Sequence, residues 1–194
     1  MDLSRTKKYT TIHSIRDDEK RQIIEKIEKD DLIFLDYGCH MGHLSLEIAL
    51  RFPIKILAVD NFVGTKNDKL MEKTVKDVTG GTGNFKNLVM SNIEEVSKNY
   101  VLLGKIDVLT PDELFATYGE DSIDFAFIDS SHSIDEYQEY EKIAKMVKSG
   151  KILGGHDYSS KHPGVIKGIE SIQHDFDWIS KNYTFFMRKK SKTS

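Results

Sequence analysis

Five short apolar runs, separated by stretches of helical periodicity, constrain this chain more than any other feature. They are residues 32–38 (LIFLDYG), 54–60 (IKILAVD), a segment within 100–109 (YVLLGKIDVL), 123–129 (IDFAFID) and 151–157 (KILGGHD). Each is too short for a buried helix and reads as a strand. Strands that alternate with helices need long crossovers, which makes neighbours parallel and puts helices on both faces of one sheet. Two further short runs, FDWI and YTFFM, are joined by SKN and predict a closing hairpin. The expected architecture is α/β: seven strands, mostly parallel, with one antiparallel strand at the far edge.

The helical stretches carry their own signals. Residues 16–29 place Ile23, Ile24 and Ile27 at helical spacing, with Ser14 as N-cap. Residues 44–52 have a helical pattern that Pro53 closes. Residues 66–78 and 85–98 read as two helices separated by TGGTGN, a flexible connection or lid hinge rather than a phosphate cradle, because no lysine follows it. TPDE, from Thr110, is a capping box with proline at the first helical position. Helices are also expected over 134–147 and from about Gly164.

The bulk composition excludes several classes. The chain has 194 residues, 39% hydrophobic and 30% charged, which suits a single soluble domain over 1–194. Its 28 Lys and Arg are mixed among 31 Asp and Glu, a net charge of −3, so no field of one sign points to nucleic acid or an anionic membrane. The single cysteine, Cys39, fits a reducing compartment. MDLSRTKKYTTIHS has no apolar core of a signal peptide, and no run is long enough to span a bilayer, so the expected location is cytoplasmic. RKKSKTS, residues 188–194, reads as a solvated basic tail.

The turn after the first strand, LDYGCHMGHLS, narrows the ligand. A dinucleotide loop needs G-x-G-x-x-G, but counting from Gly38 the second and third glycine positions hold His40 and His43. What stands there is Asp36, Gly38 and Gly42: an acid, a sharp turn and no pyrophosphate cradle. Asp60, ending the second strand, can accept hydrogen bonds from both hydroxyls of a ribose. The set suits a nucleoside with a positively charged, amino-acid-like tail.

LDYGCHMGHLSLEIA followed by ILAVDNF resembles the first two motifs of the class I S-adenosylmethionine-dependent methyltransferases, whose sheet is Rossmann-like. Downstream, IDSSHSIDEY and GGHDY are similar to a subgroup with I-D-x-x-H after the fourth strand and H-D-Y after the fifth, which includes O-methyltransferases of sugars and other natural products. The resemblance spans roughly residues 32–169 and falls on Asp129, His132, Tyr137, Gly150, His156 and Asp157. Ser130 and Ser131 replace the more common Gly-Asp.

The resemblance implies S-adenosylmethionine as cofactor, bound through Asp36, Gly38, Cys39, His40, Gly42, Asp60, Asn61 and Asp129, and a small-molecule acceptor. A homodimer is common among similar enzymes. His132 is the first choice for general base, because imidazole titrates near neutral pH; Asp129, Asp157 and His156 complete the catalytic candidates. Asp129 and Asp157 end neighbouring strands, where they could hold Mg²⁺ or another divalent ion. Alternatively Asp129 binds cofactor and Asp157 orients His132 or His156; a metal-free or weakly metal-dependent site is favoured because His156 stands where metal-dependent relatives often place a second acid. The competing reading is a cofactor-binding module without turnover, acting as a sensor or partner subunit. The acceptor is expected to be shaped by the N-terminal segment (1–30) and by a lid or insertion at 62–85.

Overall fold

A computed structural model of the chain describes residues 15–64, 73, 76–77, 79–80, 84–130 and 137–191. The elements run α1 (Asp17–Ile24), β1 (Ile33–Tyr37), α2 (His43–Ala49), β2 (Lys55–Val59), α3 (Lys86–Asn99), β3 (Lys105–Leu109), α4 (Pro111–Thr117), β4 (Ile123–Ile128), α5 (Gln138–Met146), β5 (Val147–Gly155), α6 (Pro163–Ile172), a short 3₁₀ turn, β6 (Phe176–Lys181) and β7 (Phe185–Lys189). They build one seven-stranded sheet in the order β3-β2-β1-β4-β5-β7-β6. β1 to β5 are parallel, and β7 runs antiparallel to both β5 and β6. The strand that runs against the rest is therefore second from the edge, with β6 outside it.

Strand alternation sorts the core onto two faces. Leu35, Tyr37, Leu57, Val59, Ala126 and Ile128 point to one side, where Leu114 of α4, Ile143 of α5 and Ile169 of α6 cover them. Phe34, Ile56, Phe125 and Phe127 point to the other, under Ile23 of α1 and Leu44 and Ile48 of α2. Val89 of α3 packs with Ala58, Phe62 and Phe85. The two central strands start from a shared clamp. Buried Asp124 accepts hydrogen bonds from Leu32 N (3.1 Å) and Ile33 N (2.9 Å), and Lys148 Nζ lies 2.8 Å away.

Some boundaries differ from the expected ones for local reasons. α1 stops at Ile24, because Lys26 N and Ile27 N bond three residues back rather than four and tighten the chain out of the helix. β5 begins at Val147 and is irregular in register against β4, with Gly150 at φ 78° inside it. It ends at Gly155, so His156 and Asp157 lie just beyond the strand; Asp157 has φ 60°, which an extended strand cannot accommodate. The basic tail is a correction. Arg188 and Lys189 belong to β7: Arg188 bonds Glu28 (2.8 Å) and the Gly150 carbonyl (2.6 Å), and Lys189 Nζ bonds the carbonyls of Ala144 and Val147. Ser14, most of the expected helix at 66–78, half of TGGTGN, most of the lid at 62–85, and residues 131–136 and 192–194 lie outside the described residues. Among the described residues no helix is long and apolar enough to cross a membrane.

Candidate active site

The strand order reverses between the parallel neighbours β1 and β4 at the centre of the sheet: β2 and β3 follow on one side, β5 on the other. In an open parallel sheet that reversal splays the connections apart and leaves a crevice at the carboxyl ends of the strands. Here the crevice is lined by Asp36 and the turn after β1, by Asp129 after β4, and by Lys20 of α1.

The turn is built to bring the two strand ends together. Gly38 N and Cys39 N both donate to the carbonyl of Val59, at 2.8 and 2.9 Å, which folds the chain over the end of β2. Gly38 has φ 89°, and a Cβ there would overlap the Asp129 carbonyl and stand 2.8 Å from Ser130 N. Gly42, at φ 79°, opens α2 from the left-handed region. Gly38 thus serves the approach of β1 to the β4 loop as well as the bend, a constraint that the turn's own sequence does not show.

The acids of the crevice differ sharply in setting. Asp36 is 1% exposed and accepts a 2.6 Å hydrogen bond from Ser45 Oγ of α2. Burial lifts its pKa to about 7, against the help of Ser45 and with the negative charge of Asp129 adding to the rise. Asp60 is half-buried, with Oδ2 accepting from His40 N and Oδ1 from Phe62 N, both at 2.9 Å. It therefore orders the backbone of the turn after β1 and of the segment that follows β2. Burial raises its pKa, against backbone hydrogen bonds from Phe62, His40 and Asn61.

Of three further expected cofactor residues, Cys39 and His40 line the crevice and Asn61 is not among its lining residues; each also has contacts of its own. Asn61 is exposed and turns its Oδ1 onto Val63 N and Gly64 N. Cys39 is buried among Met41, Ala58, Phe62 and Phe85, its thiol 3.8 Å from the His40 carbonyl, and burial pushes its pKa up. His40, at φ 48°, lays its ring edge-on to Phe85.

Beside the crevice stands a second cluster. His156 Nδ1 lies 3.2 Å from Asp157 Oδ1 and 3.7 Å from Asp129 Oδ1, and its Nε2 lies 3.1 Å from Glu19 Oε1. Burial alone would lower this histidine; the hydrogen bond to Asp157 and the charges of Asp129 and Asp157, joined by Glu19, overturn that and raise it to about 9. Both ring nitrogens therefore carry protons at neutral pH. The β6–β7 turn adds Tyr183, whose ring packs edge-on to His156 at 4.8 Å and whose hydroxyl bonds Asp157, holding the phenol up at about 12. His162 Nε2 lies 3.8 Å from Asp157.

The structure thus unites Asp36, Gly38, Asp129, His156 and Asp157 at the carboxyl ends of β1, β4 and β5, with Asp60 and His40 beside them. His132 lies outside the described residues. Glu19, Lys20 and Tyr183 were missed by sequence reasoning. Glu19 carried the one usable signal: three residues after Arg16 it accepts from the Arg16 backbone N–H at 3.0 Å, as a helix-opening acid does. Nothing local predicts its contact with His156.

No protein-family model matches the sequence, and no curated protein matches it. Solved structures do match in shape. A precorrin-6y C5,15-methyltransferase from Geobacter metallireducens superposes with a TM-score of 0.62 at 13% identity, covering 97% of each chain. The chain thus shares its fold with methyltransferases. An O-methyltransferase from Bacillus cereus, solved with S-adenosylhomocysteine, superposes with a TM-score of 0.61 at 17% identity over 92% of this chain and 84% of its own. A tRNA methyltransferase from Aquifex aeolicus reaches 0.61 at 15% identity over 95% and 73%. Methyltransferases with such different acceptors share this architecture, so the fold leaves the acceptor open.

Proposed function

We propose that the protein transfers a methyl group from S-adenosylmethionine to a hydroxyl oxygen of a small molecule. The observation that carries the reading is the crevice at the β1–β4 reversal, where Asp36, the Gly38 turn and Asp129 meet. Its donor set fits the cofactor: carboxylates for a cationic tail, Asp60 at the end of β2 as an acceptor for a ribose hydroxyl, and no phosphate cradle. When bound, the cofactor supplies a methyl group already activated by its sulfonium.

The chain's own residues then have three tasks: to hold the acceptor oxygen about 3–3.5 Å from the methyl carbon, to exclude water and to accept a proton. His132, three residues beyond Asp129, is the proposed proton acceptor. His156 is unsuited to that task, because both its nitrogens face carboxylates. Its role in this reading is to balance Asp129 and Asp157 and fix their orientation. The donor atoms of Asp129, His156 and Asp157 all lie within 4.8 Å of one another, a spacing that also suits a metal ion. The imidazole, however, already bridges the two acids, so they fit a protonated histidine better than a divalent ion, and we propose a metal-independent reaction. The acids at the mouth and the net charge of −3 favour an acceptor without a phosphate backbone.

The test is incubation with methyl-labelled S-adenosylmethionine and a panel of hydroxylated small molecules, with and without chelator. Label transferred to an oxygen in both conditions is the expected result. Label that reaches only RNA, or transfer abolished by chelator, overturns the corresponding part of the reading.

A further inference from the structure

Two consecutive residues of α1 reach two different parts of the site. Glu19 turns to His156, and Lys20 lines the crevice beneath the β1 turn. The Lys20 side chain is 16% exposed, and its ion pair is with Asp17 Oδ1 at 3.3 Å, a carboxylate 92% exposed. A pair so open to water holds its lysine only weakly.

The crevice is lopsided in charge. Asp36 and Asp129 stand on the sheet side, and among the described lining residues Lys20 is the only lysine or arginine. His43 also lines it, but burial, helped by the charge of Lys20, pushes this imidazole down to about 4, so it is neutral. The charge on nearby His156 is shared among Glu19, Asp129 and Asp157. A ligand with a single charge would complement only one of the two walls. A ligand with an ammonium and a carboxylate a few bonds apart satisfies both, and such a zwitterion is the end of an α-amino acid.

We propose that Lys20 binds the α-carboxylate of the cofactor's amino-acid tail, with the α-ammonium turned toward Asp36 and Asp129. This rests on the methyltransferase reading and deepens it. It makes α1 part of the cofactor site rather than only a wall for the acceptor. Because Glu19 is the preceding residue, the helix that meets the tail is also the helix that holds His156.

The test compares S-adenosylhomocysteine with 5′-methylthioadenosine, which keeps the nucleoside and sulfur but lacks the amino-acid tail. Both are titrated calorimetrically into wild type, Lys20→Met and Lys20→Arg. Lys20→Met is expected to weaken S-adenosylhomocysteine by about 10- to 100-fold, the range of a charge-assisted hydrogen bond. 5′-Methylthioadenosine should bind wild type and Lys20→Met alike, and Lys20→Arg should restore most of the loss. Equal S-adenosylhomocysteine affinity in wild type and Lys20→Met overturns the assignment, as does an equal loss for both ligands. If wild type binds neither ligand, the methyltransferase reading itself falls, and the role of Lys20 with it.

Discussion

Replacing Gly38 with alanine tests how the site is assembled. The residue sits at φ 89°, and an added Cβ would overlap the Asp129 carbonyl, which is fixed backbone rather than a side chain that can swing away. A left-handed conformation costs a non-glycine residue about 1–2 kcal/mol. Forcing an extra carbon into a packed contact adds about 1–3 kcal/mol. The sum, about 2–5 kcal/mol, is a large share of the roughly 5–15 kcal/mol that holds a domain folded. With a urea slope of about 2 kcal/mol per molar, the unfolding midpoint should fall by about 1–2.5 M. Gly119→Ala is the control, since a Cβ there meets nothing within 4 Å; its midpoint should stay within about 0.3 M of wild type. If Gly38→Ala melts with the control, β1 and the β4 loop are not pressed together at this residue, and the account of how Asp36 and Asp129 come to share a crevice is wrong.

Two further perturbations follow from the same contacts. His156 has a folded pKa of about 9, above its ordinary value near 6.5, so its contribution is complete below pH 6.5 and fades as the pH rises through 9, by at most about 3 kcal/mol. Glu19→Gln removes one of its carboxylates and should flatten part of that alkaline slope in urea melts at pH 6 and 9.5; identical slopes in the two proteins would contradict the pairing. Asp36 does not confuse the comparison, because the stability removed by its raised pKa of about 7 is lost as the pH rises from about 4 to 7 and stays lost above that, in both proteins alike. Asp124→Ala leaves Lys148 without its buried partner and the N–H groups of Leu32 and Ile33 without an acceptor, and should destabilise the chain by about 3–5 kcal/mol in a urea melt at pH 7.

The sheet was legible in the sequence where burial is two-sided. β1, β2 and β4 are nearly continuous apolar runs, because helices cover both of their faces. The start of β5 was not legible: Lys148, Ser149 and Gly150 interrupt its hydrophobic pattern, and Lys148 is there to pair with Asp124 on the neighbouring strand. Arg188 and Lys189 looked like a solvated tail for a similar reason, since Glu28 and the carbonyls that anchor them are distant in sequence. In the site, acids at strand ends announced themselves through motif spacing. Glu19, Lys20 and Tyr183 did not, because each acquires its meaning from a partner on another element. The fit of Gly38 against Asp129 belongs to the same class. Local pattern showed that the chain must turn there, and only the assembled sheet shows what it turns against.

The most direct measurement of the central claim is a calorimetric titration of the protein with S-adenosylhomocysteine and, separately, with NAD⁺. A crevice with acids for an ammonium tail and no pyrophosphate cradle predicts one S-adenosylhomocysteine bound per chain and no heat from NAD⁺. Saturable NAD⁺ binding, with a flat trace for S-adenosylhomocysteine into the millimolar range, would contradict it.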